Sequence, residues 1–316
     1  MITTITLNPA LDKLYLINNF QLHKLHRLGD LIRIGASPGG KGINVAIFLQ
    51  RMGIEATVMG FLGGHTGQVV EQMAREENVT TNFVFVENET RIDITIIDEK
   101  NDTLTEINES GPPIFKEDLD SLLKRYARIL DDSELVVLSG SLPPNVPQDI
   151  YATMINMANQ KNVKTIINAA KAPLELGIEA GPTVVYPDMR SAYNMYGIKT
   201  ETIEDYAKLA QMIKEKNPKI EMVVFSNPIR NIFVANIQGK NYQAKIAELK
   251  NVNMFGFGDA LVGGLAIGLQ KNRPMIEVLR SGFASGLVNL ESIKKQLADK
   301  ALIEDTKARV KIVEIP

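Results

Sequence analysis

One stretch of regular β-α alternation constrains this chain more than any other feature. After Gly111-Pro112-Pro113 the pattern predicts a helix from Lys116 to Leu130, strand Leu135-Val136-Val137-Leu138, a helix from Gln148 to Asn159 and strand Thr165-Ile166-Ile167-Asn168. Strand Thr183-Val184-Val185-Tyr186 comes next, then Pro187-Asp188 with a helix through Tyr196, a helix from Ile203 to Glu215 and strand Met222-Val223-Val224-Phe225. The strands are continuously apolar and the helices amphipathic, so a mostly parallel sheet with helices on both faces is expected. The fold class is α/β. Ligands in such sheets sit beyond the carboxyl ends of the strands. Asp12, Ser139, Asp188, Ser226 and Gly256 all follow expected strands, so they can converge.

The first third of the chain reads differently. A strand from Ile2 to Leu7 runs into Asn8-Pro9, and Leu14 to Ile17 and Gly29 to Ile34 are strand-like, with no helix between. A buried strand from Ala56 to Gly63 and a helix from Gly67 to Glu77 precede three further strands, Phe83 to Val86, Ile92 to Ile97 and Leu104 to Ile107. The two helix-poor inserts, about 12–36 and 83–108, are expected to pair as one small sheet over a cleft, within a single domain spanning 1–316. Near the other end, an antiparallel pair (Ile232 to Ala235 and Tyr242 to Ala244) leads to a glycine-opened helix and two more helices to about Ala298.

Composition removes several function classes. The chain has no cysteine, which excludes a disulfide framework and a thiolate nucleophile. Its three histidines, His23, His26 and His65, are too scattered for a His-based metal site. A net charge of −2 gives no reason to expect a nucleic-acid partner. The N-terminus lacks a basic targeting region and no apolar run reaches membrane-spanning length, so a soluble cytoplasmic protein is expected.

Two glycine-rich turns carry the chemistry. Gly256-Phe257-Gly258-Asp259 opens into the apolar run Ala260 to Leu269, where free N–H groups of a helix start make an anion site. Asp259 is a poor neighbour for a bound phosphate unless its carboxylate takes a proton from an attacking hydroxyl. A tight turn with Asp259 as a helix cap fits the same residues. Earlier, Gly35 to Lys41 approaches a Walker A loop, but Gly42 stands where Ser or Thr would hold Mg²⁺. What remains is a glycine-rich turn entering a helix from Ile43 to Met52, with Lys41 at its mouth. It can seat a substrate phosphate or sugar hydroxyls, or be a flexible turn with a solvated lysine.

In order along nearly the whole chain, these residues resemble the PfkB-type, ribokinase-like carbohydrate kinases. The similarity is to the subgroup acting on ketohexose phosphates, 1-phosphofructokinase and tagatose-6-phosphate kinase. It rests on Thr6 to Asp12, Gly39 to Ala46, Gly60 to Gly64, Thr90-Arg91-Ile92, Thr105 to Glu109 with Gly111-Pro112, Ser139 to Pro143, and Gly256 to Asp259. The resemblance implies a ribokinase-like fold with a β-sheet lid, and ATP with Mg²⁺ as nucleotide and metal. Asp259 would be the base, and Gly256, Phe257 and Gly258 the anion hole. Asp12, Gly39, Gly40, Asn44 and Ser139 would line the sugar site, while Lys41 and Arg91 would grip the substrate's own phosphate. A homodimer through the lid sheet is also implied.

The nucleotide half departs from the family pattern. Asp188-Met189-Arg190-Ser191 replaces Asn-x-x-Glu, and Ser226-Asn227-Pro228-Ile229-Arg230-Asn231 replaces a Ser/Thr-Leu-Gly-x-x-Gly loop. Phe257 is larger than the family's Ala or Ser. Ser226, Asn227, Gly256 and Gly258 are the candidates for ATP, and Asp188 for Mg²⁺. A sugar-phosphate-binding sensor with weak or no kinase activity is the alternative function.

Overall fold

The structure, a computed structural model, describes residues 1–27, 33–188, 195–246, 256–290 and 298–316. In chain order it begins β1 (Ile2–Thr6), β2 (Ala10–Leu16), β3 (Arg33–Gly39), α1 (Lys41–Arg51), β4 (Ala56–Gly63), α2 (Gly64–Glu76), β5 (Thr80–Val86), β6 (Arg91–Asp98) and β7 (Thr103–Asn108). The alternating part follows as α3 (Lys116–Ile129), β8 (Leu135–Ser139), α4 (Ile150–Gln160), β9 (Lys164–Asn168), α5 (Lys171–Glu179), β10 (Val184–Val185), α6 (Ile203–Lys216) and β11 (Met222–Asn227). The chain closes with β12 (Ile232–Ile237), β13 (Lys240–Lys245), α7 (Phe257–Gln270), α8 (Met275–Leu290), α9 (Lys300–Arg309) and β14 (Lys311–Ile315).

Ten strands form one sheet in the order β14-β13-β12-β11-β10-β9-β8-β1-β4-β5. Neighbours from β5 to β11 are parallel, and β12, β13 and β14 extend the sheet antiparallel. Successive strand residues face opposite sides, so each strand feeds two cores. Ile43, Phe48, Leu261, Leu265, Leu279 and Phe283 bring α1, α7 and α8 to one face. Leu122, Tyr126, Tyr151, Leu174, Tyr206 and Ile213 bring α3, α4, α5 and α6 to the other.

A separate four-stranded sheet, β3-β2-β6-β7, joins the two early inserts. The two differ from expectation in one respect: Thr80–Val86 pairs in parallel with β4 in the main sheet, so the second insert begins at Arg91. Phe83, Val84 and Val86 are buried against that sheet, which short strand length alone did not reveal. The Walker-like stretch is also not a loop as far as Gly39. It is strand β3, whose Gly39 pairs with Ala10 and whose Ser37 pairs with Asp12. The expected strand Gly29 to Ile34 lies partly outside the described residues, as does most of the helix expected after Asp188.

Three elements were not expected, one of them helix α9, which lies wholly beyond Ala298. Helix α5 carries Pro173, but Pro is tolerated in a first turn, whose N–H groups have no helical partner. Strand β14 is a short Lys311–Ile315 edge segment that forms by pairing with β13.

Candidate active site

Two helix starts meet at the carboxyl end of the main sheet. Gly256 at φ 72° turns the chain into α7, and the Ala260 amide donates to the Gly256 carbonyl at 2.9 Å. The amides of Phe257, Gly258 and Asp259 therefore precede the first intrahelical hydrogen bond. The Phe257 side chain turns into the core, with its ring 6.3 Å from that of Phe233 and in contact with Gly286. This packing explains how so large a residue sits there while its backbone stays at the turn. Asp259 is buried, and its Oδ2 accepts a hydrogen bond from Asn44 Nδ2 at 2.7 Å. Asn44 lies in the first turn of α1, its amide bonded to the Gly40 carbonyl at 3.0 Å. The positive ends of two helices thus share one place.

The glycines before α1 are there for close approach. A side chain on Gly39 would meet Asp12 Oδ1 at 2.2 Å, and one on Gly42 would meet the Ile5 carbonyl oxygen at 2.6 Å. Gly40, at φ 110°, turns the chain against Thr6 Oγ1. Asp12 is thereby laid across the entry to α1.

Lys41 and Asp188, assigned by sequence to opposite halves of the site, form an ion pair, Nζ to Oδ2 at 3.3 Å. The Asp188 backbone is fixed by its amide, which donates to the Ala169 carbonyl at 2.9 Å. Among the described residues no group of three or more His, Cys, Asp or Glu side chains could hold a metal. One carboxylate such as Asp188 nonetheless fits Mg²⁺, which takes one or two carboxylates together with phosphate oxygens. The rest of that motif, Met189-Arg190-Ser191, lies outside the described residues.

A polar row ends the central strands on the α7 side. Ser139 and Asn168 are paired neighbours on β8 and β9. Both are buried, and Ser139 Oγ and Asn168 Oδ1 have no hydrogen-bond partner among the described residues. Asn168 Nδ2 donates to the Tyr186 carbonyl at 2.8 Å, and the Tyr186 hydroxyl lies 2.8 Å from Ser226 Oγ. Burial pushes the Tyr186 phenol well up, and the Asp188 and Asp259 carboxylates add to this against the Ser226 hydrogen bond. Asn168 and Tyr186 were missed as site residues, although both stand at expected strand ends.

Other candidates are already engaged. Arg91 donates to Asp93 Oδ1 at 2.7 Å and to the carbonyls of Asn8 and Glu109, each at 3.2 Å. Asn227 caps a 3₁₀ turn, Pro228–Arg230, its Oδ1 accepting from the Arg230 amide at 3.3 Å and its Nδ2 donating to the Tyr206 hydroxyl at 3.3 Å. Pro228 occupies a turn start, where a missing N–H costs little. The motif glycines Gly63 and Gly64 are framework. Thr90 Oγ1 accepts from the Gly63 amide at 2.8 Å, and Glu89 accepts the His65 and Thr66 amides that start α2.

Known proteins resemble this chain along most of its length. The pfkB family carbohydrate kinase profile matches residues 15–300. Over 315 residues, 100% of both chains, the sequence is 29% identical to 1-phosphofructokinase of Bacillus subtilis strain 168. The crystal structure of a possible 1-phosphofructokinase from Thermotoga maritima is similar with a TM-score of 0.91 at 33% identity, covering 100% of each chain. The tetrameric inhibited form of phosphofructokinase-2 from Escherichia coli shares the fold, with a TM-score of 0.84 and 24% identity over 97% of this chain and 98% of that one. None of the described helices is long and apolar enough to cross a membrane. A family profile spanning most of the chain, together with full-length similarity to these enzymes, shows that the chain belongs to the pfkB family of carbohydrate kinases.

Proposed function

We propose that this carbohydrate kinase transfers the γ-phosphoryl group of ATP to a ketohexose monophosphate, with fructose 1-phosphate preferred over fructose 6-phosphate and tagatose 6-phosphate. The hydrogen bond from Asn44 to Asp259 carries the reading, because it holds a carboxylate among amides that have no helical acceptor. Asp259 takes the proton of the acceptor hydroxyl as its oxygen bonds to phosphorus, and the bridging O–P bond to ADP breaks. The amides of Gly256, Phe257 and Gly258 receive the charge on the transferring group. Asp12, Gly39, Gly40, Asn44 and Ser139 orient the sugar, and Lys41 and Arg91 hold its phosphate. Ser226 and Asn227, with the amides of Gly256 and Gly258, would meet the nucleotide. Mg²⁺, held by ATP oxygens and Asp188, would neutralise phosphate charge. The 1-phosphofructokinase relatives support fructose 1-phosphate. The small sheet serves as a lid over the site, and the exposed β7, with Leu104 and Ile107, supplies an apolar surface for a second copy in a cytoplasmic dimer. ADP release with each of the three sugar phosphates tests the assignment. Turnover at least tenfold higher with fructose 1-phosphate supports it, and preference for another sugar overturns it.

A sugar-phosphate sensor is the second reading, favoured by the altered nucleotide side, where Pro228 stands in the Ser226–Asn231 loop with no N–H to offer a phosphate. Calorimetric titration of ATP, with and without Mg²⁺ and saturating sugar phosphate, separates the two. Mg²⁺-dependent ATP binding that disappears in Asp188→Ala supports the kinase. Tight sugar-phosphate binding with no ATP binding in any condition leaves the sensor.

A further inference from the structure

The Tyr186–Ser226 hydroxyl pair lies against the first turn of α7, yet the roles assigned above give Tyr186 nothing to do. The two hydroxyl oxygens are 2.8 Å apart, and both side chains are buried. Two hydroxyls carry two hydrogens and use one between them, so one remains to donate elsewhere. Its direction is limited. A side chain on Gly258 would lie 3.5 Å from the Tyr186 hydroxyl oxygen, so the phenol borders the amides of that turn. A phenol is a neutral hydrogen-bond donor at neutral pH. The Tyr186 backbone is tied on both sides, its carbonyl accepting from Asn168 and its amide donating to the Ile167 carbonyl at 2.9 Å. A neutral donor held rigidly beside the free amides at the start of α7 suits a phosphoryl oxygen, which those amides also favour.

We propose that Tyr186 is a further catalytic residue, its hydroxyl donating a hydrogen bond to the transferring phosphoryl group, with Ser226 orienting it. The inference rests on the kinase reading. The phenol keeps its hydrogen throughout; the acceptor hydroxyl's proton goes to Asp259, and the new O–P bond replaces the one to ADP. Nothing is oxidised or reduced.

The test compares Tyr186→Phe, Ser226→Ala and the double variant with the parent chain. Hydrogen bonds to charged groups contribute about 1.5–3 kcal/mol, so kcat should fall ~10- to 100-fold in Tyr186→Phe, with KM for the sugar phosphate within about twofold. Ser226→Ala should lose less, and the double variant should lose no more than Tyr186→Phe, because the pair acts as a unit. A readout without turnover uses ADP, Mg²⁺ and aluminium fluoride as a mimic of the transferring group. The rise in Tm that they cause in the parent should shrink in Tyr186→Phe, while the rise caused by sugar phosphate alone stays. Unchanged kcat in Tyr186→Phe, or losses that simply add in the double variant, overturn the proposal and leave the kinase reading standing. If Tyr186→Phe fails to fold, an unchanged kcat in Ser226→Ala overturns it. A parent chain with no turnover on any of the three sugar phosphates overturns both.

Discussion

Asn44 donates a hydrogen bond to Asp259 at 2.7 Å across a sequence separation of 215, joining the first turns of α1 and α7. The contact fixes the carboxylate's orientation relative to the helix amides beside it. Truncating Asn44 to Ala should therefore lower kcat about tenfold or more, with hydrogen bonds to charged groups contributing about 1.5–3 kcal/mol. Asn44→Asp should be worse, since two carboxylates in contact cannot both stay ionised without cost. Steady-state kinetics beside a thermal melt checks this. Parent-like kcat in Asn44→Ala would mean that Asp259 needs no such anchor.

Lys41 and Arg91 separate in their expected effects. Lys41 is partly exposed and pairs with Asp188 at 3.3 Å, so Lys41→Ala should leave the fold intact. It should weaken binding of the phosphorylated sugar at least tenfold while hardly changing that of the free sugar. Arg91 ties Asn8, Asp93 and Glu109 together. Arg91→Ala should therefore lower Tm as well as affinity. Calorimetry with both ligands and a melt of each variant decide it, and equal losses for both ligands in Lys41→Ala would remove it from the phosphate.

Much of this arrangement is legible in the sequence, for physical reasons. Apolar strands buried on both faces announce a parallel sheet, and glycines beside Asp259 announce a helix start open to an anion. The partnerships are harder to read. That Lys41 reaches Asp188, or that Tyr186 meets Ser226, depends on which strand ends lie side by side, and the order β11-β10-β9-β8-β1 is not written in any local pattern. Strand β5 reads as part of the lid for the same reason: its residues suit either sheet, and only pairing with β4 decides. Helix α5 was hidden by Pro173, a residue that breaks helices everywhere except where this one stands.

Gly60 marks where β4 passes β1. A side chain there would meet the Thr6 carbonyl oxygen at 1.8 Å, inside the register pair Thr6–Gly60. Gly60→Ala should destabilise the chain by about 1–3 kcal/mol or more, as overpacking does. Urea unfolding measures it, and a midpoint equal to the parent's would show that the strands can part without cost.

Asp98 gives the small sheet a pH dependence. It accepts from the amides of Asn19 at 2.8 Å and Phe20 at 2.7 Å and from Asn101 Nδ2 at 2.7 Å. Burial alone would raise its pKa, but these hydrogen bonds outweigh it and hold the group at about 2 instead of 3.8. A depressed carboxylate contributes its stability above the ordinary value and loses it as pH falls toward the folded one. The Tm difference between the parent and Asp98→Asn should be constant above about pH 5 and shrink below about pH 4. A difference that ignores pH across that range would contradict the role.

Asp259→Asn tests the central claim most directly, because it keeps size, helix and anion hole while removing the base. The measurement is kcat with ATP, Mg²⁺ and fructose 1-phosphate, alongside the calorimetric Kd of the sugar phosphate. The predicted result is a fall in kcat by a factor of ~10² or more with Kd within a few-fold of the parent's. Near-normal turnover in that variant would contradict it, and would leave Asp259 as a first-turn carboxylate of α7 held by Asn44; it is not the helix cap, since Gly256 stands at that position with no side-chain cap bond.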